Sequence, residues 1–219
     1  MLKVWGRLNS LNVQKVLLCL NELKLPFERF DAGMQFGVVK TPEYLRMNPN
    51  SNVPTLQDGD FILWESNVIV RYLSSLHSAG TLWPTDARAR AEAERWMDWQ
   101  GGSLNGALVP AFYNLIRVEP AKRDMAAVEA SRLKVIELVA MFDAHLKGRD
   151  FVAGTHFGFG DIGLAPIIHR WLNIPMAVVT NEPEQASQSM VFDKIITAAG
   201  ETGGTRWFED YGATVSWHN

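Results

Sequence analysis

The chain has 219 residues, 21 of them Lys or Arg against 24 Asp or Glu, for a net charge of −3. At 47% hydrophobic and 21% charged it has the composition of a folded globular protein, which excludes disordered and fibrous classes. Mild acidity argues against a nucleic-acid binder, which needs a basic patch. One cysteine, Cys19, excludes an intrachain disulfide, a CxxC redox pair and a cysteine-rich zinc site, and suits a reducing cytosol. The opening MLKVWGRLNS holds no apolar core of roughly 7–15 residues, so no secretory signal is expected. No run of about 18 apolar residues suggests a membrane span.

The first eighty residues alternate between strand and helix patterns. Leu2–Trp5 is a short apolar strand ending at Gly6. Val13, Val16, Leu17, Leu20 and Leu23 recur at helical spacing from about Asn12, and Leu25-Pro26 ends that helix. Phe27–Asp31 reads as a second strand. Ala32–Asn52 is a long connection with one short helix near Tyr44. Thr55–Gln57 and Phe61–Trp64 read as strands joined by the turn Asp58-Gly59-Asp60. Ser66–Leu76 places Val68, Ile69, Tyr72, Leu73 and Leu76 on one helical face. The order β-α-β, connection, β-β-α predicts an α/β unit with a mixed sheet.

Leu82-Trp83-Pro84 reads as a linker, and the pattern beyond it is helical. Ala87–Leu115 is a long helix carrying Trp96, Trp99, Leu104, Leu108 and Phe112, with bends expected at Gly101-Gly102 and Pro110. Ala126–Leu146 and the strongly apolar Ile162–Ile174 are two more. The expected division is an α/β domain over residues 1–80 and an all-helical domain over 86–219. There is no internal repeat and no low-complexity segment.

Three junctions carry polar residues suited to chemistry. Arg7-Leu8-Asn9-Ser10-Leu11-Asn12-Val13 lies where a strand hands over to a helix. Ser10 or Asn12 there is either a helix cap or a donor that holds a thiolate, since the helix N-terminus favours an anion. Pro54, in Asn52-Val53-Pro54-Thr55-Leu56, is either a plain trans turn proline or a cis one. A cis proline would leave the preceding backbone free to pair with an extended ligand. Trp64-Glu65-Ser66-Asn67 stands at the next strand-to-helix junction. Ser66 is either its N-cap or part of a cradle for a ligand carboxylate. The five histidines show no metal-ligand spacing, so no metal is expected. Cys19, beside an apolar run, reads as a buried and inert thiol. Phe157-Gly158-Phe159-Gly160-Asp161-Ile162 reads as a helix start with Gly158 at the N-cap and Asp161 bonding back to it.

Taken together and in this order, the junctions are specific. Residues 1–76 resemble the thioredoxin-like N-terminal domain of cytosolic glutathione transferases. The matching residues run from Ser10-x-Asn12-Val13-x-Lys15-Val16 through Thr41-Pro42-Glu43-Tyr44-Leu45-x-Met47-Asn48-Pro49-Asn50, Val53-Pro54-Thr55-Leu56 and Asp58-Gly59. They continue in Leu63-Trp64-Glu65-Ser66-Asn67 and Ile69-x-Arg71-Tyr72-Leu73. The helical part is similar through Phe151-Val152-Ala153-Gly154, Gly160-Asp161-Ile162 and His169-Arg170-Trp171. The sequence looks most like bacterial members near the theta, delta and nu classes.

The resemblance implies glutathione as cosubstrate, a cytoplasmic homodimer, and no nucleic-acid or membrane partner. Ser10 falls on the serine or threonine that hydrogen-bonds the glutathione sulfur, and Asn12 on an asparagine that shares that role in nu-type relatives. Val53 would pair its backbone with the cysteinyl unit before a cis Pro54. Glu65 and Ser66 would receive the γ-glutamyl group. Gln35, Lys40 and Asn52 are candidates for the glycyl end, where delta-like relatives carry histidines instead. By analogy of position, Leu8, Phe36, Phe112, Tyr113 and Arg117 would line a site for a small hydrophobic electrophile. Trp96 and Trp99 are expected in the core or at a dimer contact. The implied reaction is attack of glutathione thiolate on that electrophile, or reduction of a peroxide or disulfide by the same thiol. A non-catalytic glutathione-binding scaffold is the alternative. A glutaredoxin-like oxidoreductase would need a cysteine near residues 9–13, where there is none. The tail after about residue 175 diverges from the family pattern, with helical periodicity only over Val191–Ala199, and Arg206-Trp207-Phe208 reads as a remnant of the closing helix.

Overall fold

Strand β1 (Leu2–Trp5) buries Leu2 and Val4 and leaves Lys3 and Trp5 half-exposed, the alternation of a strand with one face on a core. A computed structural model describes residues 1–174 of the chain. Helix α1 (Leu11–Glu22) follows and buries Val13, Val16, Leu17 and Leu20. Strand β2 (Phe27–Phe30) lies parallel to β1. Strands β3 (Thr55–Asp58) and β4 (Phe61–Trp64) form a hairpin whose turn places Gly59 at φ 61, in the left-handed region glycine enters freely. Strand β3 pairs antiparallel with β1, giving the mixed sheet order β2-β1-β3-β4. Helix α3 (Ser66–His77) closes the unit.

The long connection holds a 3₁₀ turn at Met34–Phe36 and helix α2 (Pro42–Met47), which Thr41 caps by accepting from the Tyr44 N–H. Tyr44 fastens this connection to the sheet. Its buried hydroxyl donates to the Asn52 carbonyl at 2.7 Å and meets Thr55 Oγ1 at 2.8 Å. Asn48 Nδ2 donates to the same two oxygens at 2.9 and 3.1 Å. These bonds fix the chain just ahead of the Val53-Pro54 peptide, which is cis.

Beyond residue 85 every regular element is helical among the described residues. The single bent helix expected over 87–115 is three pieces: α4 (Ala87–Trp99), a π-helical turn at Gln100–Leu104, and α5 (Asn105–Arg117). The interruption falls at Gly101-Gly102, while Pro110 lies inside α5. Helices α6 (Met125–Leu146) and α7 (Phe159–Asn173) complete the described chain. On α6, Leu146 is buried, but Leu133 and Ile136 stay exposed.

Helix α7 is buried along most of its length and packs on α1, α3 and α4. The approach to α4 is close. A Cβ on Gly163 would stand 2.8 Å from Met97 Cγ, inside van der Waals contact, so a larger residue there would force the Met97 side chain to move. Trp96 is buried in this core, edge-on to Trp99 at 5.0 Å and tilted on Phe142 at 4.9 Å. Gly158 caps α7 in extended conformation, and Asp161 Oδ2 accepts its N–H at 2.9 Å. Asp161 Oδ1 also accepts the Val152 N–H at 3.0 Å, so one carboxylate ties the helix start to the preceding loop. The features expected at Val191–Ala199 and Arg206-Trp207-Phe208 lie outside the described residues.

Candidate active site

Two cavities meet at the start of α1. The first, about 390 Å³, lies between the β1–α1 connection, the loop before β3 and the start of α3. Ser10, Asn12, Asn52, Val53, Pro54, Glu65 and Ser66 all line it. Residues 42 to 56 positions apart in sequence are thus brought to one wall by the β1–β3 pairing and the α1–α3 packing. Gln35 and Lys40, expected near the same ligand, are exposed and are not among its lining residues.

Ser10 is the N-cap of α1, is 7% exposed, and makes no side-chain capping bond. Its hydroxyl is therefore not spent on its own helix, and it lines the wall of both cavities beside the free N–H groups of the first turn. Asn12, two residues on, is exposed and lines both cavities too.

The junction at α3 differs in one respect from its sequence reading. The N-cap is Glu65, and Ser66 is the first helical residue. Glu65 sits at φ 73, a left-handed conformation that costs a non-glycine residue about 1–3 kcal/mol and is held by its surroundings. The twist leaves Glu65 exposed at the cavity and Ser66 buried beneath it. A cationic group and a carboxylate of one ligand could be bound there side by side, the anion at the helix N-terminus.

The second cavity, about 330 Å³, opens on the other side of Ser10. Phe112, Tyr113 and Arg117 of α5 line it as expected, joined by Asn105 and Val109. Leu8 instead packs against the hydrophobic core, and Phe36 is 43% exposed on the 3₁₀ turn; neither is among the lining residues. Residues without an assigned role stand in their place. Arg7 and Met34 line both cavities, and Arg170 of α7 reaches the second. Arg7 shares a sequence string with Ser10, and Arg170 belongs to His169-Arg170-Trp171, so both were within view as motif members.

Electrostatically the second cavity is cationic. Burial lowers the Arg7 guanidinium below its ordinary value, and Arg117 lowers it further. Burial pushes Arg170 down to about 9, with Arg117 and Arg7 adding to the fall. Cys19 is remote in function: it is fully buried on α1 with Sγ 3.6 Å from Ser74 Oγ, and burial pushes its thiol up to about 12. No helix among the described residues is long and apolar enough to cross a membrane.

Comparison with known proteins agrees with this arrangement. Residues 1–75 match the family described as glutathione S-transferase, N-terminal domain, and residues 125–217 match glutathione S-transferase, C-terminal domain. The second match runs through the segment after residue 175 that the sequence patterns set apart from the family. Glutathione S-transferase GstB of Escherichia coli K12 is 46% identical over 176 residues, which is 80% of this chain and 85% of that protein. Glutathione S-transferase 3 of Zea mays is 34% identical over 165 residues, 73% of each chain. Among solved structures, a theta class glutathione S-transferase of Xanthomonas axonopodis pv. citri, with glutathione bound, superposes with a TM-score of 0.81 at 34% identity, covering 98% of this chain and 97% of that one. The chain belongs to the glutathione S-transferase family and is a transferase rather than a non-catalytic protein that carries the fold.

Proposed function

We propose that glutathione lies in the first cavity with its thiol at Ser10, and that the thiolate attacks a small electrophile seated in the second. The observation that carries this reading is the position of Ser10: buried, at a helix N-terminus, free of capping, and shared by both cavities. Val53 offers its backbone to the cysteinyl unit beside cis Pro54, and Glu65 and Ser66 receive the γ-glutamyl ammonium and carboxylate. Asn50, Ser51 and Asn52 form the polar wall toward the glycyl end.

The energetics suffice without a general base or a metal. A free thiol titrates near ~8.5, and lowering that by ~2 units needs about 2.7 kcal/mol of differential stabilisation. One hydrogen bond to a charged partner gives roughly 1.5–3 kcal/mol, and the helix N-terminus adds about 0.3–1 kcal/mol. The same thiolate would reduce a peroxide or a disulfide. We assign the enzyme to the serine-type members near the theta, delta and nu classes, with domains at 1–80 and 86–219, acting in the cytoplasm as a homodimer. Exposed Phe61 on β4, its ring 5.4 Å from that of Tyr72 on α3, and exposed Val68, one turn before Tyr72, offer an apolar face for that association.

The test is ultraviolet titration of bound thiolate together with turnover of an aryl halide. Ser10→Ala should raise the thiol pKa and lower kcat/KM at least tenfold, about 1.4 kcal/mol. If Ser10→Ala keeps the wild-type curve and Asn12→Ala loses it, the sulfur-holding role passes to Asn12.

A further inference from the structure

We propose that the second cavity is a binding site for an electrophile bearing a carboxylate or comparable anionic group, which Arg117 and Arg170 hold with Arg7 behind it. This rests on reading that cavity as the acceptor site, and it replaces the purely hydrophobic acceptor with an amphiphilic one.

Three arginines reach this one space from three separate elements: Arg7 from the β1–α1 connection, Arg117 from the end of α5, and Arg170 from α7. The described lining contains no aspartate or glutamate. Arg29, Arg71 and Arg132, by contrast with Arg7 and Arg117, stand against Asp31, Asp98 and Glu129. Neither Arg7 nor Arg117 takes part in a salt bridge among the described residues. Arg7 lines the cavity, and its Nε is buried with no hydrogen-bond partner among the described residues.

Like charges gathered in a part-buried cavity repel, and burial adds to the cost. Burial is the largest cause of the fall in both Arg7 and Arg170; Arg117 adds to it in Arg7, and Arg117 and Arg7 add to it in Arg170, as such repulsion requires. An anion placed among them reverses the sign. A guanidinium presents N–H donors in a planar fork that matches a carboxylate. Phe112 orients two of the three: the Arg170 guanidinium carbon lies 4.3 Å from its ring centroid and that of Arg117 lies 5.8 Å away. The ring takes the cations on its face, and together with Val109 and Tyr113 it supplies apolar contact for the rest of the acceptor. Arg7 lines the glutathione cavity as well, so it serves both ligands, whereas Arg117 and Arg170 line only the second.

The test compares two acceptors of nearly the same shape, 4-chloro-3-nitrobenzoate and 4-chloro-3-nitrobenzamide. In each, the thiolate sulfur bonds to the carbon bearing chlorine, chloride leaves with the bonding pair, and the thiol proton goes to solvent. Each kcat/KM is divided by the uncatalysed rate with glutathione to remove intrinsic reactivity. The wild type should favour the benzoate at least tenfold, and Arg117→Gln should lower that preference at least tenfold. Arg117→Lys should retain an intermediate preference, and Arg88→Gln, an exposed charge change on α4, should leave the preference as it is. Calorimetry of the two product conjugates repeats the comparison without turnover: the carboxylate conjugate should bind more tightly, and less so in Arg117→Gln. Equal handling of the two by the wild type overturns the proposal. So does an Arg117→Gln variant that raises the bound thiol pKa and slows both acceptors alike, since the arginines would then serve the thiolate. Failure of the acceptor-site reading looks different: both conjugates would bind with the affinity of glutathione itself, and Phe112→Ala would change neither.

Discussion

Lys15 on α1 and Gln100 in the π-helical turn are joined across the boundary between the α/β and helical parts of the chain. The Lys15 ammonium donates to Gln100 Oε1 at 2.5 Å and to Asn67 Oδ1 at 3.0 Å, and Asn67 Nδ2 donates onward to the Met97 carbonyl at 2.9 Å. Asn67 directly follows Ser66, so this bridge holds the start of α3 in place beneath the proposed glutathione cavity.

Burial pushes Lys15 down to about 7; Glu65 opposes the shift, and Arg170 and Arg71 reinforce it. In the unfolded chain a lysine titrates near ~10.4. Between those values the unfolded chain holds one more proton than the folded one. The stability linked to Lys15 is therefore complete above ~10.4 and is lost as pH falls through about 7. Measured against Lys15→Met in denaturant melts, the wild type should gain about 2 kcal/mol in relative stability between pH 7 and 9. A gap that stays constant over that range would show that Lys15 titrates as an ordinary lysine.

Ser66 stands buried at the first turn of α3 with its hydroxyl on the proposed carboxylate site. Ser66→Ala should weaken glutathione binding by roughly 1–3 kcal/mol, because a charged group loses a hydrogen bond. The fold should persist, since the backbone N–H groups still face the cavity. Calorimetry on a folded variant decides the matter, and unchanged affinity removes Ser66 from the site.

At the start of α7 the two halves of the cap separate cleanly. Asp161→Ala leaves the Gly158 and Val152 N–H groups without their acceptor and should cost roughly 1–3 kcal/mol for each buried donor. Gly158→Ser should stabilise by a few tenths of a kcal/mol, as its added Cβ would make only ordinary contacts, with the Leu82 carbonyl at 3.4 Å and Asp161 Oδ2 at 3.9 Å. Turnover per folded molecule should barely move in either variant. An Asp161→Ala protein that melts like wild type but has lost turnover would place Asp161 in the chemistry.

Cys19 should be silent toward thiol reagents in the native protein and react once the chain is denatured, because burial holds its thiol near 12. Colorimetric thiol counting in both states checks this. Rapid labelling of native protein would mean that α1 opens far more often than its buried face implies.

The sequence carried the elements that periodicity writes locally. Strands Leu2–Trp5 and Phe61–Trp64 match their expected bounds, and α3 and α6 extend theirs by one residue. Ser10 and Ser66 stood out in the sequence because strand-to-helix handovers expose backbone donors, Pro54 because it stands just before a strand, and Val53 and Glu65 only through the family resemblance. The acceptor side was less so, because it depends on direction rather than spacing. Leu8 turns into the core while its neighbour Arg7 turns out to the cavity. Arg170 arrives only through the packing of α7 on α1, across more than half the described chain.

The π-helical turn has a consequence for how this family can vary. Asn105 N–H bonds to the Gln100 carbonyl, five residues back, so the segment holds one residue more than an α-helical turn. Each residue advances an α-helix by about 100°. Losing one of Gly101 or Gly102 would restore a continuous helix and swing Phe112 and Arg117 about that far around its axis, leaving the Ser10 junction unaltered. A single-codon deletion is thus an indexing step: it would exchange the proposed acceptor face wholesale while conserving the junction proposed to activate the thiol.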